Sequence, residues 1–421
     1  MSGSMTSGPA SKGVSAAYVI ALLFLVNVMN FLDRQLPSIL AQSIKSDLGL
    51  TDTELGLLGG VAFAVVYATM AFPLARLADR WSAKWVLAGS LAVWSLLTTA
   101  GGFAQNFLQL AATRLGVAAG EAGSTPAAHA IISALIPERR RGVAMGVFTL
   151  GVPIGIMAGL VLGGWLSDMH SWRYAMIVMG IPGLLLAVLF ALTVPNVRPA
   201  EQVEKPQAAI ATVRSLFAIR GFSQLWIGTT IFGVGAYALF AFMPAFLIRV
   251  HGLSHTEVGF KFGLINGVAG AIGAFGGGWF ADRVGRGDPG RTLMIPMIGF
   301  LVAAPFLAAA LFAPTADLAL ALLFVPYLAN VMYVAPCFGV AQQLAPPTSR
   351  AVASATLLFG ISLVGASLGP FLAGLVSDLL APQFGQGALR YALLLACFTN
   401  LWAALHVGLA AQALRRRSRD A

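Results

Sequence analysis

Apolar runs long enough to cross a bilayer recur about twelve times in this chain. Their cores lie near 16–38, 55–76, 85–104, 107–135, 143–166, 174–194, 222–247, 258–281, 292–313, 317–344, 351–379 and 389–413. In hydrocarbon each backbone polar group must be satisfied within the protein, so runs of this length fold as spanning helices. Composition agrees: 58% of the residues are hydrophobic and 10% charged, against about 25% charged in a soluble domain. The expected fold class is an all-α integral membrane protein. Residues 1–15 are polar and rich in Gly and Ser. The first run is too long for the core of a signal peptide, so it is expected to stay as an anchor.

Lys and Arg set the orientation. With the N-terminus in the cytoplasm, nineteen of the 26 fall in tails and connections on that side. Arg76, Arg80, Lys84, Arg139, Arg140 and Arg141 are among them, as are Arg415, Arg416, Arg417 and Arg419. Lys45, Arg173, Arg249, Lys261 and Arg390 fall on the other side. Positive residues concentrate in cytoplasmic connections, so both termini are expected to be cytoplasmic and the protein to reside in the cell (inner) membrane. The net charge of +10 belongs to these loops, and nucleic acid is not an expected partner. Cys337 and Cys397 lie inside apolar runs and read as small buried hydrophobes. No cofactor, metal site or disulfide framework is expected.

The longest polar interruption, 195–219, contains Pro195, Pro199 and Pro206 and divides the chain into two sets of six runs. The expected domains are a tail (1–15), a first bundle (16–194), a linker (195–219), a second bundle (220–413) and a basic tail (414–421). The bundles repeat. Leu77-Ala78-Asp79-Arg80 recurs as Phe280-Ala281-Asp282-Arg283. Ser167-Asp168 followed by Trp172-Arg173-Tyr174-Ala175 recurs as Ser377-Asp378 followed by Leu389-Arg390-Tyr391-Ala392. A parallel repeat of six and six is an architecture of secondary transporters, whose substrate site lies at the repeat interface near mid-membrane.

The loop Ala75-Arg-Leu-Ala-Asp79-Arg80-Trp-Ser-Ala-Lys84 resembles the signature loop of the major facilitator superfamily, G-x-L-x-D-R-x-G-R-K. The second copy, Gly278-Trp-Phe-Ala-Asp282-Arg283-Val-Gly285-Arg286, fits better, since Ala75, Ser82 and Ala83 depart from the pattern. The resemblance implies a twelve-helix fold in two pseudo-repeated bundles, working by alternating access. It also implies a cytoplasmic gate formed by Asp79, Arg80, Asp282, Arg283 and Arg286. Gly151, Gly155, Gly159 and Gly163 are spaced by four and share one face of segment five, a pattern read as close helix packing. Within the superfamily, Asn30-Phe31-Leu32-Asp33-Arg34 resembles the N-[YF]-x-D-R of Spinster-type transporters. Arg114-Leu-Gly116-Val-Ala-Ala-Gly120-Glu121-Ala122 resembles their R-G-L-x-G-x-G-E-A. That family moves sphingosine phosphate or lysophospholipids, which implies an amphiphilic cargo.

Asp33, Arg34, Arg114 and Glu121 are the charges that fall well inside the runs. Intramembrane charges are costly and mark functional sites. The resemblance places segments one and four around a central cavity, so the four are expected to meet there. Segment one runs outward and segment four inward, and their depths suggest Asp33 beside Arg114, with Glu121 deeper and less fully compensated. A buried carboxylate poised between desolvation and a neighbouring arginine can exchange a proton. Glu121 and Asp33 are therefore the expected proton-coupling pair. Arg34 and Arg114 are expected to bind an anionic head group, for which a guanidinium is suited, or to control the carboxylates. His129 reads chiefly as a packing residue.

The second bundle has no such charges. Tyr237, Phe240 and Met243 on segment seven, and Tyr327, Asn330 and Tyr333 on segment ten, recur at i, i+3 on one face. Of these, Tyr237, Phe240, Met243, Asn330 and Tyr333 join the four charges as expected substrate-binding residues, because charges on one wall and aromatics on the other suit an amphiphile. The expected function is proton-coupled transport of an amphiphilic, anionic lipid by a monomer, with protons and membrane lipids as its other partners. The alternatives are a proton-coupled pump for drugs or other organic amphiphiles, and a non-transporting receptor on the same fold. The chain has no P-loop or H-E-x-x-H, and its few ionisable groups give no clear nucleophile–base pair, so an enzyme is not expected.

Overall fold

A computed structural model describes residues 15–196, 206–285, 288–346 and 349–420. Arg286, Lys12, Arg198 and Lys205 lie outside the described residues.

A helix or a pair of half-helices occupies each expected run. Segment one is Ala16–Leu48, segment two Asp52–Gly59 with Val61–Leu77, and segment three Ala83–Gly101. Segment four is Phe107–Glu121 and Ser124–Leu135, segment five Glu138–Met169, and segment six Trp172–Thr193. A helix, Pro206–Ala218, leads into segment seven, Arg220–His251. Segment eight is His255–Glu257 and Gly263–Gly285 joined by a π-helical turn, and segment nine is Met294–Leu311. Segment ten is Ala316–Val331 and Val334–Leu344, segment eleven Arg350–Phe359 and Ala366–Phe384 joined by another π turn, and segment twelve Ala388–Asp420. Segments four and ten break at the same place in the repeat, just after Glu121 and just after Val331.

Segment five lies along segment one because its glycines remove the side chains that would hold them apart. A Cβ on Gly155 would sit 2.5 Å from the Val28 carbonyl oxygen, and one on Gly159 2.8 Å from that of Leu32. Asn27 Nδ2 donates to the Phe148 carbonyl at 2.7 Å, which satisfies a buried amide and fixes the register. The glycine spacing therefore serves packing. It also presents the opposite face of segment one, with Asp33 and Arg34, away from segment five.

At the end of the molecule away from Ala16 and Asp420, the two bundles lock together in near-symmetric fashion. Gly49 and Gly252, both with positive φ, end segments one and seven. Thr51 and Ser254 then begin segments two and eight as capping boxes with Glu54 and Glu257. Each capped N-terminus receives an aspartate from the other bundle. Asp378 accepts from the Asp52 and Thr53 amides at 2.9 and 2.7 Å. Asp168 accepts from the His255 and Thr256 amides at 3.3 and 2.7 Å. An anion at a helix N-terminus meets unpaired amides and the positive pole of the helix. Gly56 and Gly374 join segments two and eleven, and Gly259 and Gly164 join eight and five, each against a carbonyl of the facing helix that a Cβ would strike.

Asp52 adds charge to this seal. Its two oxygens accept from Arg249 NH1 and NH2, both at 2.7 Å, and also from Lys45 and Ser377. Ser38 donates to the Phe240 carbonyl at 2.7 Å, and Ser43 Oγ lies 2.8 Å from His255 Nε2. Among the described residues, every hydrogen bond and ion pair between the bundles lies between Ser38 and this end. The structure is thus closed here. Asp79, Arg80, Asp282 and Arg283, at the opposite end, are all exposed, and the Arg283 guanidinium lies over the Trp279 ring.

Candidate functional site

The middle of segment one carries a polar stretch that includes Asn30, Asp33, Arg34 and Gln35. Of these, Arg34 keeps 23% of its side chain exposed, while Asn30, Asp33 and Gln35 are buried. The four expected charges do meet: Glu121 neighbours Arg34 and Arg114, and Asp33 neighbours Glu121 and Arg114. Their pairing differs from the depth argument. Arg34 Nε donates to Glu121 Oε2 at 2.6 Å, so the carboxylate expected to be less compensated carries the short ion pair. Asp33 and Arg114 form no ion pair within bonding distance among the described residues. Counting residues along two helices gives depth but not azimuth. Arg34, one residue further round the helix, turns toward segment four, whereas Asp33 turns toward segment three. There Trp94 and Thr98, both fully buried, are its neighbours.

Glu121 is fully buried and is the last residue of the half-helix Phe107–Glu121. The negative pole of that half-helix opposes a carboxylate there, so Arg34 offsets both desolvation and the dipole. One carboxylate oxygen, Oε1, is buried and unbonded. So are Asp33 Oδ1, the Asn30 amide nitrogen, and Nε and NH1 of Arg114. Buried polar groups are nearly always satisfied. Five such atoms lie together in this cluster, with Trp94 and Thr98 beside the Asp33 carboxylate and Asn30 beside that of Glu121.

Aromatic rings complete the wall. The Arg34 guanidinium lies 4.7 Å from the Tyr67 ring centroid, 5.1 Å from Phe31 and 5.7 Å from Phe63. Arg114 lies 5.5 Å from Phe63, and Phe63 stacks on Tyr67 at 6.0 Å. Cation–π contacts of this kind hold a guanidinium without neutralising it. Sequence reading missed Phe63 and Tyr67, although their i, i+4 spacing on segment two was available. Trp94 and Thr98 gave no comparable signal, because apolar or hydroxyl residues on a buried helix are ordinary.

In the second bundle Tyr237 and Phe240 are half-buried with ring centroids 6.3 Å apart. Tyr333 is half-buried and packs on Phe232 at 4.7 Å. Asn330 Oδ1 and the Tyr327 hydroxyl are buried without a partner. Met243 departs from expectation. It is completely buried in the core cluster that contains Leu36, Ile39 and Leu40 of segment one. The closed end, where segment seven meets segment one, has absorbed it, so it lines no cavity in this state. His129 is exposed, its ring edge-on to Phe148 at 5.7 Å.

The chain is similar to known proteins along most of its length. A family model described as the Major Facilitator Superfamily matches residues 23–370. An MFS-type efflux pump of Mycolicibacterium smegmatis is 39% identical over 378 residues, covering 89% of this chain and 88% of that one. Human protein spinster homolog 1 is 28% identical over 420 residues, covering 91% and 78% of the two chains. Among solved structures, a bacterial homolog of the human lysosomal transporter Spinster superposes with a TM-score of 0.87. It is 27% identical, covering 96% of this chain and 99% of the other, and is described as inward-facing and unoccupied.

Proposed function

Because the chain belongs to the major facilitator superfamily of transporters, we propose that it is a proton-coupled carrier of an amphiphilic, anionic lipid resembling a lysophospholipid or sphingoid phosphate. The observation that carries this reading is the Arg34–Glu121 bond at 2.6 Å, set among unsatisfied charges and an aromatic wall. Arg34 is the part-exposed member and meets the anionic head group. Arg114, 4% exposed, stays behind it and holds the two carboxylates. An anion that draws Arg34 away leaves Glu121 buried without its partner, and Glu121 then takes up a proton. Substrate binding and protonation are thereby linked. Tyr237, Phe240, Asn330 and Tyr333 form the opposite wall, against which the hydrocarbon tail lies. The closed end faces outward, and Asp79, Arg80, Asp282, Arg283 and Arg286 form the gate that closes the cytoplasmic end when the outer latch opens.

A second reading, proton-coupled efflux of drugs or other organic amphiphiles, is favoured by the similarity to the mycobacterial efflux pump. A thermal-shift screen of the purified protein separates the two, since a ligand that binds the folded state stabilises it. Anionic lysophospholipids should raise the melting temperature, and Arg34→Gln should abolish the rise. Stabilisation by cationic drugs alone would decide for the second reading.

A further inference from the structure

A second polar site lies outside the central cluster, on the membrane face of segment twelve. Leu401, Trp402 and Leu405 are exposed there, at 47%, 57% and 58%. Between them and segment seven runs a chain of hydrogen bonds. Trp402 Nε1 donates to His406 Nε2 at 2.9 Å, which leaves Nδ1 as the donor to Gln224 Oε1 at 2.6 Å. With its oxygen so engaged, the Gln224 amide has its N–H groups left to offer. Polar side chains on a membrane-facing helix are expensive and call for a partner.

Gln224 lines a cavity of about 460 Å³ between segments seven and twelve, together with Arg220, Gln412, Arg416, Leu409 and Leu414. Neither Asp nor Glu lines it, and among the described residues no carboxylate pairs with Arg220 or Arg416. Its wall is therefore rich in donors and positively charged. A cavity of about 770 Å³ lies on the other flank of segment twelve, lined by Met294, Met297, Leu301 and Leu405. It shares Leu409, Gln412 and Arg416 with the first. Arg220 opens segment seven, and Gln224 lies one turn deeper, about 6 Å along the axis. The polar end of the groove thus sits at the membrane boundary and its apolar end in the hydrocarbon.

We propose that this groove binds a two-chain anionic phospholipid. The phosphodiester sits among Arg220, Gln224 and Arg416, and the acyl chains lie along Leu405 and Leu409 and along Met297 and Leu301. Basic pockets between spanning helices suit such head groups, and methionines adapt to disordered chains.

Native mass spectrometry of the full chain in detergent, titrated with phosphatidylglycerol, phosphatidylcholine or inorganic phosphate, tests this. The wild type should bind phosphatidylglycerol at least tenfold more tightly than phosphatidylcholine. Arg220→Gln with Arg416→Gln should remove that preference, as should Gln224→Glu, which sets a carboxylate in the site while keeping both arginines. Arg220→Lys with Arg416→Lys should retain most of it, which keeps the test open if the glutamine pair fails to fold. Equal affinity for the two lipids would overturn the proposal. So would an unaltered preference in Gln224→Glu, or occupancy by inorganic phosphate as tight as by lipid.

Discussion

Glu121 and Arg34 depend on each other unequally. The carboxylate is fully buried, whereas 23% of the arginine side chain is exposed and its guanidinium rests on three rings. Removing one partner of a buried pair strands the other, at about 3–5 kcal/mol. Arg34→Gln should therefore destabilise the protein by roughly that amount, and adding Glu121→Gln should restore most of it. Glu121→Gln alone should be mild, because the arginine it leaves reaches open space. Chemical denaturation of the four proteins in detergent measures the cycle, and a double variant no more stable than Arg34→Gln would refute the dependence. The four charges could be read from the sequence because an ionised group in an apolar run is too costly to be incidental. Their pairing could not be, since it depends on how two helices are rotated. Met243, buried at the closed end, shows a related limit: i, i+3 spacing gives a shared face but not what covers it.

At the scale of the helix, glycines and capping aspartates do most of the positioning. A Cβ at Gly155 would press on the Val28 carbonyl of segment one at 2.5 Å, whereas one at Gly146 meets nothing within 4 Å. Gly155→Ala should cost about 1–3 kcal/mol through forced separation of the helices. Gly146→Ala should be neutral or slightly stabilising, and thermal unfolding distinguishes them. Asp168 and Asp378 each accept two amide protons across the bundle boundary. Bonds to a charged group contribute about 1.5–3 kcal/mol each, and 1.4 kcal/mol is a tenfold change in an equilibrium. Asp168→Asn and Asp378→Asn should each open the closed end about tenfold more often. Ser38→Cys, placed at the buried Ser38–Phe240 contact, should then react with a thiol reagent correspondingly faster, and an unchanged rate would show that the aspartates are not the latch. The repeat of Ser167-Asp168 at Ser377-Asp378 is visible in the sequence, but the N-termini these aspartates cap are not adjacent to them in the chain. The signal that would have found them is Gly49-Leu-Thr-Asp-Thr-Glu-Leu-Gly56, which recurs as Gly252-Leu-Ser-His-Thr-Glu-Val-Gly259.

For the molecule as a whole, the order of twelve apolar runs and the repeat of six are enough to specify the fold. A spanning helix satisfies its backbone internally, so few other folds are open to such a chain. The state of the two ends is set by a few cross-bundle contacts and so leaves little trace in hydropathy. The paired latches at one end and exposed Asp79, Arg80, Asp282 and Arg283 at the other describe one station of an alternating cycle. The function proposed above links head-group binding at Arg34 to protonation at Glu121 in that cycle. The most direct test is uptake of a labelled lysophospholipid into proteoliposomes with and without an imposed pH gradient, comparing the wild type with Glu121→Gln. The gradient should accelerate wild-type transport at least tenfold and leave Glu121→Gln unaffected, although both exchange lipid across the bilayer. Equal acceleration of the two proteins would contradict the coupling of Glu121 to the proton.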